Sequence, residues 1–197
     1  LCFDKRVSYD DYHGKRVQSG LERKSEAMML QGFNWRNNMR RADREVKDIN
    51  EILRIVDKAK ILHLGLFDAD FPYIVPMHYG YEYKDGNLIF YMHGAKEGHK
   101  LDLIRNNPNV CIELECDIEL VSGDDMPCKY GSTFASVIGR GYAEILRDIE
   151  EKIAGLQLLM MNQTGREFEI DERMVNTVEV IKVTVHSFTA KSRKMER

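Results

Sequence analysis

The stretch Pro72-Tyr73-Ile74-Val75-Pro76-Met77-His78-Tyr79-Gly80-Tyr81-Glu82-Tyr83, followed by Lys84-Asp85-Gly86 and Asn87-Leu88-Ile89-Phe90-Tyr91-Met92-His93, decides the fold. Its odd positions from Tyr73 to Tyr83 are all apolar or aromatic, and a face repeating every second residue is the mark of a strand. Asp85-Gly86 has the chemistry of a tight hairpin turn, because both residues tolerate positive φ. The spacing predicts a β-hairpin with a long arm over 72–83 and a returning arm over 87–93. Pro76 has no N–H to give to a ladder, so the long arm is an edge strand or lies where something other than a strand approaches.

Outward from this hairpin, strands and helices alternate with clear boundaries. Asp48-Ile49-Asn50-Glu51 has the D-x-x-E form of a capping box, and Ile49, Ile52, Leu53 and Val56 continue it at helical spacing. A strand over 60–67 leads into the turn Asp68-Ala69-Asp70. After the hairpin come a helix over 97–106, stopped by Asn107-Pro108, and a strand over 109–117. A loop over 123–131 precedes a long strand over 132–146, where Gly139 and Gly141 permit a bulge or bend. Asp148 with Glu151 opens a third helix carrying Ile149, Ile153, Leu156, Leu159 and Met160, and the last strand spans 177–190. Strands joined by hairpins, with three helices at the margins, predict an α+β protein whose antiparallel sheet curls into a barrel of about six strands. So small a barrel leaves an edge exposed, and such edges are commonly covered by a second copy; a homodimer is expected.

The chain has 197 residues, with 29 Lys plus Arg against 32 Asp plus Glu, for a formal net charge of −3. That balance leaves no basic footprint for nucleic acid, and no apolar run approaches the roughly 18 residues of a membrane span. Residues 1–38 mix both charges with scattered aromatics and show no regular period, so they read as a tail ahead of one domain over 39–197. The tail could be a natural extension, a cloning remnant or sequence upstream of a true start at Met39. No basic region followed by an apolar stretch marks a secretory leader. The cysteines, Cys2, Cys111, Cys116 and Cys128, lack zinc-knuckle spacing. Cys111 and Cys116 face opposite sides of a strand, about 16 Å apart at about 3.3 Å per residue, which excludes a disulfide. Free thiols in a cytoplasmic protein are expected.

Chemistry concentrates in His93-Gly94-Ala95-Lys96-Glu97-Gly98-His99-Lys100-Leu101, where a strand ends and a helix begins. Two glycines let backbone N–H groups approach a ligand, and two lysines stand nearby, which suits an anion such as phosphate. Leu101 stands where a Walker motif needs a hydroxyl, so a nucleoside triphosphate does not fit. His93 could donate a hydrogen bond or exchange a proton with a ligand, whereas a strand-end histidine is also a common structural residue. His63 and His78 read as structural and His99 as a surface helix residue. Ser132, Thr133 and Ser136 are strand hydroxyls open to a polar ligand or to water. Lys191 is expected just after the last strand. No Ser-His-Asp or Cys-His arrangement and no metal motif can be extracted from the spacing.

Three segments, Pro72 to Tyr81, His93 to Ile104 ahead of Asn107-Pro108, and Ser136-Val137-Ile138-Gly139-Arg140-Gly141, resemble the pyridoxamine 5′-phosphate oxidase-related flavoproteins in order and spacing. Within that group the resemblance is to the nitroimidazole-resistance (Nim-type) branch, over about residues 39–191. It implies a split β-barrel homodimer that binds FMN, or FAD, in a groove between subunits and passes electrons to a small acceptor such as a nitro-aromatic. It places Ile74, Val75, Pro76, Met77 and His78 along the flavin ring, His93, Gly94 and Ala95 at the strand end beside it, and Lys100 at the phosphate. Ser136 matches a hydroxyl contributed by the partner subunit, Lys191 the basic residue after the final strand, and His93 the residue on the substrate side. Two departures stand out. The loop from Asp124 to Gly131 matches no family pattern, and Lys100 stands where relatives often carry arginine, a point charge in place of a bidentate fork. The basic residues that an oxidase making pyridoxal phosphate needs for its substrate phosphate are not found. A flavin or haem carrier without turnover is the alternative on the same fold.

Overall fold

The long arm expected over 72–83 is two strands, and the break between them organises the molecule. In a computed structural model, which describes residues 39–194, β1 (Glu45–Val46) and α1 (Ile49–Lys58) are followed by β2 (Leu62–Asp68) and β3 (Phe71–Met77). Then come β4 (Gly80–Lys84), β5 (Asn87–Gly94), α2 (His99–Asn106), β6 (Asn109–Val121) and β7 (Gly131–Ile145). Helix α3 (Ile149–Thr164), the single turn α4 (Glu172–Val175) and β8 (Glu179–Arg193) complete the chain. The tail expected over 1–38 lies outside the described residues.

All strand pairs are antiparallel, in the order β3-β2-β6-β7-β8-β5-β4, with β1 beside the far half of β8. The eight strands of the described residues exceed the roughly six expected, because the long arm divides and Glu45–Val46 adds a short one. Strands β3 and β4 are adjacent in sequence yet sit at opposite ends of the sheet order, so the chain crosses at His78-Tyr79. The crossing has a packing cause. Tyr79 is fully buried, with its hydroxyl 2.6 Å from the carbonyls of both Val56 and Ala59 at the end of α1. Asn162 and Gln163, at the end of α3, donate to the Tyr79 carbonyl at 2.9 and 2.8 Å. Gly80 follows, so close to α3 that a Cβ there would lie 2.1 Å from the Leu159 backbone nitrogen.

Alternation fills the barrel with Leu62, Leu64, Leu88, Phe90, Ile112, Leu114, Val137 and Val183, all fully buried. The predicted turn at Asp85-Gly86 forms with both residues at positive φ, 51° and 80°. Cys116 is buried and Cys111 exposed, on opposite faces as expected, and both are free thiols. The β7–β8 register shifts between Arg140 and Gly141, the place anticipated from the glycines; a Cβ at Gly141 would stand 2.1 Å from the Thr184 carbonyl oxygen. Asp48 and Asp148 cap α1 and α3, accepting from the backbone N–H of Asn50 and Glu151 respectively. Among the boundaries that differ from expectation, three change the placement of site residues or the sheet. Helix α2 begins at His99 because Gly98 has a φ of 144°, β6 runs on past a bulge to Val121, and β8 runs on to Arg193. Lys191 is therefore inside a strand, paired with Ser136 on one side and Glu45 on the other.

Candidate functional site

The end of β5, the loop after it and the start of α2 form one concave corner. Gly94 lies under the Lys100 side chain, so that a Cβ there would stand 2.8 Å from Lys100 Cε and 2.9 Å from Nζ. Helix α2 has no side-chain cap; Gly98 starts it, and its carbonyl accepts from Leu101 and Asp102. The amides of His99 and Lys100 lie in the first turn, too near the helix start for an intrahelical partner, and remain for a ligand or water. Two open amides, the positive end of a helix dipole and an ammonium group together suit an anion.

His93 is exposed at the strand end, opposite Val180 of β8. Its pKa is held below the ordinary histidine value, first by partial loss of water and then by the fields of the nearby His78 and Lys100 side chains. It is therefore neutral at pH 7, with one nitrogen to donate and one to accept. His99 is more than a surface residue. Its Nε2 lies 2.6 Å from Asp68 Oδ2, and its ring meets that of Tyr73 edge-on at 5.2 Å, tying α2 to the β2–β3 hairpin. Asp68 and Tyr73 are parts of the corner that spacing alone did not single out; the only signal was the regular inward alternation that put Tyr73 on one face.

Strand β3 supplies the wall. Among the described residues it pairs with β2 alone, which places it at the edge that Pro76 announced. Val75 and Met77 turn inward, while Ile74, Pro76 and His78 face out, with Ile74 63 % exposed. Pro72 and Pro76 stand opposite Phe67 and His63 and have no N–H, so those are non-hydrogen-bonded pairs. The even positions of β3 therefore direct their backbone groups at the open edge. There Ile74 offers the one N–H, between carbonyls of Pro72, Ile74 and Pro76. Two prolines also keep a further strand from adding to this edge.

Ser136 and Lys191 are elsewhere. They are cross-strand neighbours on the outer face of β7 and β8, beside Glu115 and Glu45. From β3 to β7 is three strand spacings, about 14 Å at about 4.8 Å each. One copy of the chain thus brings together His78, His93, Gly94 and Lys100, with Ala95 in the adjoining loop, and leaves Ser136 and Lys191 at a distance, on the outer face of β7 and β8. On that face His63 Nδ1 lies 3.1 Å from Glu113 Oε2, in a row running from Pro76 through His63 and Glu113 to Ile138, itself 43 % exposed.

Comparison with known proteins identifies the family and the fold. The profile of the family described as Pyridoxamine 5′-phosphate oxidase matches residues 48–192. A candidate 5-nitroimidazole antibiotic resistance protein from Bacteroides thetaiotaomicron is 32 % identical, covering 75 % of this chain and 86 % of its own, with a TM-score of 0.64. The flavocytochrome Anf3 from Azotobacter vinelandii shares the fold at 18 % identity and a TM-score of 0.65, over 80 % of this chain and 72 % of its own. The FAD and heme binding protein from Mycobacterium smegmatis does so at 11 % identity and 0.64, over 77 % of this chain and 74 % of its own. No curated protein sequence matches the chain significantly.

Proposed function

The chain belongs to the pyridoxamine 5′-phosphate oxidase family, and from that premise we propose that it is a homodimeric, FMN-binding oxidoreductase of the Nim-related type, reducing a small acceptor such as a nitro-aromatic. The observation that carries this reading is the corner at the end of β5, where Lys100 and the two open amides of α2 stand beside Gly94 and a neutral His93.

Tested against those groups, a flavin phosphate fits: it matches the charge of the corner, and Gly94 has no side chain to fill the space taken by Lys100. The open edge of β3, with the Ile74 N–H between carbonyls, suits a planar ring that both accepts and donates along its rim. Bound flavin would supply the electron chemistry. The residues of this chain do the rest: Lys100 and α2 hold the anionic end, β3 orients the ring, and the neutral His93 holds the acceptor by a hydrogen bond. The separation of Ser136 and Lys191 from the corner is what a site shared between two copies requires, with these two residues reaching the corner of the partner subunit. The exposed Ile74 and Ile138 and the half-exposed His63–Glu113 pair belong to the face that the second copy covers.

Purified protein should show visible flavin absorbance, or gain it together with thermal stability when FMN is added. A colourless chain that FMN neither colours nor stabilises refutes the proposal. A steady-state assay with NADH or NADPH and a nitro-compound then separates turnover from a flavin or haem carrier, whose bound flavin is never reoxidised by any acceptor.

A further inference from the structure

The crossing between β3 and β4 holds a histidine whose hydrogen bonds fix its chemistry. His78 Nδ1 lies 3.1 Å from the Lys60 carbonyl oxygen and 3.1 Å from Gln163 Oε1. A carbonyl can only accept. The Gln163 amide is itself oriented, because its Nε2 donates to the carbonyls of Tyr79 and Lys60 at 2.8 and 3.3 Å, which leaves Oε1 for His78. Both partners thus require a proton on Nδ1, and in the neutral ring Nε2 is then bare. Extending the β4–β5 register from Gly80–Tyr91 by two residues sets His78 opposite His93. The field of His78 is accordingly felt at the His93 ring.

We propose that His78 is the second imidazole of the site, held in the Nδ1–H form by Lys60 and Gln163 so that its bare Nε2 accepts a hydrogen bond from an N–H or O–H of the ligand beside His93. This rests on the flavin reading for the identity of that ligand, whose imide N–H is one such donor. The corner then sorts ligands by polarity, with anionic oxygens at Lys100 and α2 and a donor group at His78. Other charged groups around the pair are committed elsewhere. Lys60 Nζ bonds the carbonyls of Asp57 and Asn162, and Glu179, opposite Gly94, pairs with Lys152 at 3.3 Å.

The test uses the full chain with 15N-labelled histidine, His78 being assigned by its loss in His78→Asn. Asparagine keeps a donor where Nδ1 stands and has nothing at Nε2. In the ligand-free protein, neutral His78 should carry its proton on Nδ1. The Asn variant should bind FMN about three- to tenfold more weakly at an unchanged thermal midpoint, the scale of one neutral hydrogen bond, and His93 should titrate at higher pH than in the native chain. A ring protonated on Nε2, or unchanged FMN affinity in the variant, overturns the proposal. Should the native chain not bind FMN at all, the flavin reading fails by itself, and the proton position in the ligand-free ring still decides the matter for His78. If the Asn variant does not fold, His78→Gln supplies the assignment and the affinity comparison in its place.

Discussion

Replacing Gly80 with alanine tests whether contact with α3 is what divides the long arm. A Cβ at position 80 would lie 2.1 Å from Leu159 N, 2.3 Å from Leu158 C and 2.5 Å from Leu159 Cα, against the 3.4 Å at which ordinary contact begins. The opposing atoms are helix backbone, so no rotamer relieves the overlap; β4 and α3 must separate by about 1.3 Å, the difference between 3.4 and 2.1 Å. That movement also stretches the hydrogen bonds from Asn162 and Gln163 to the Tyr79 carbonyl. Overpacking of this kind costs about 3 kcal/mol, the upper part of the usual range. For a chain of this size it lowers the melting temperature by about 6–12 °C. Gly65→Ala is the control, because its Cβ meets nothing closer than 3.4 Å. Differential scanning calorimetry of both variants is the assay. Gly80→Ala melting within about 2 °C of the native protein refutes the claim that this contact places the crossing.

Four further outcomes follow from the site. His93→Ala should retain FMN yet reduce nitro-compounds more slowly; unchanged steady-state turnover makes the residue structural. Lys100→Met should weaken FMN binding by about 1–3 kcal/mol, the scale of a lost charge-assisted contact, as read by flavin fluorescence titration. Because His93 is held below the ordinary value of 6.5, the unfolded chain takes up a proton first as pH falls, so this histidine's contribution to stability is lost as pH drops through that region. Urea midpoints measured at about pH 7.5 and 5.5 should therefore fall less steeply for His93→Gln than for the native chain. Mixed dimers of Lys100→Met with a Ser136→Ala, Lys191→Met double variant should recover one intact site in two, and FMN titration of such mixtures showing no tight site argues that Ser136 and Lys191 do not act across the interface.

Much of the architecture was legible in local pattern. Strand alternation at 109–117, the caps at Asp48 and Asp148, the turn at Asp85-Gly86 and the glycines at 139 and 141 each express a constraint within a few residues of itself. The edge at β3 was readable because proline removes a ladder donor wherever it stands. The break at His78-Tyr79 was not. Its odd-position face runs unbroken from Tyr73 to Tyr83, and what divides it are contacts from α1 and α3, including one between Gly80 and the distant Leu159. Lys191 was misplaced for a similar reason: the apolar alternation fades after Val185, and only pairing with Ser136 and Glu45 keeps the chain extended.

The same division holds for the site. The sequence alone determined the loop of glycines and lysines after His93, since an anion corner at a helix start needs only consecutive backbone and one nearby cation. Tertiary structure decided that Tyr73, Asp68 and His99 join that corner, that Gln163 sets the proton on His78, and that Ser136 and Lys191 stand at a distance from it on the outer face of β7 and β8. Those relations join residues far separated along the chain, and a hydrogen bond or an overlap between such residues exists only once packing has brought their elements together.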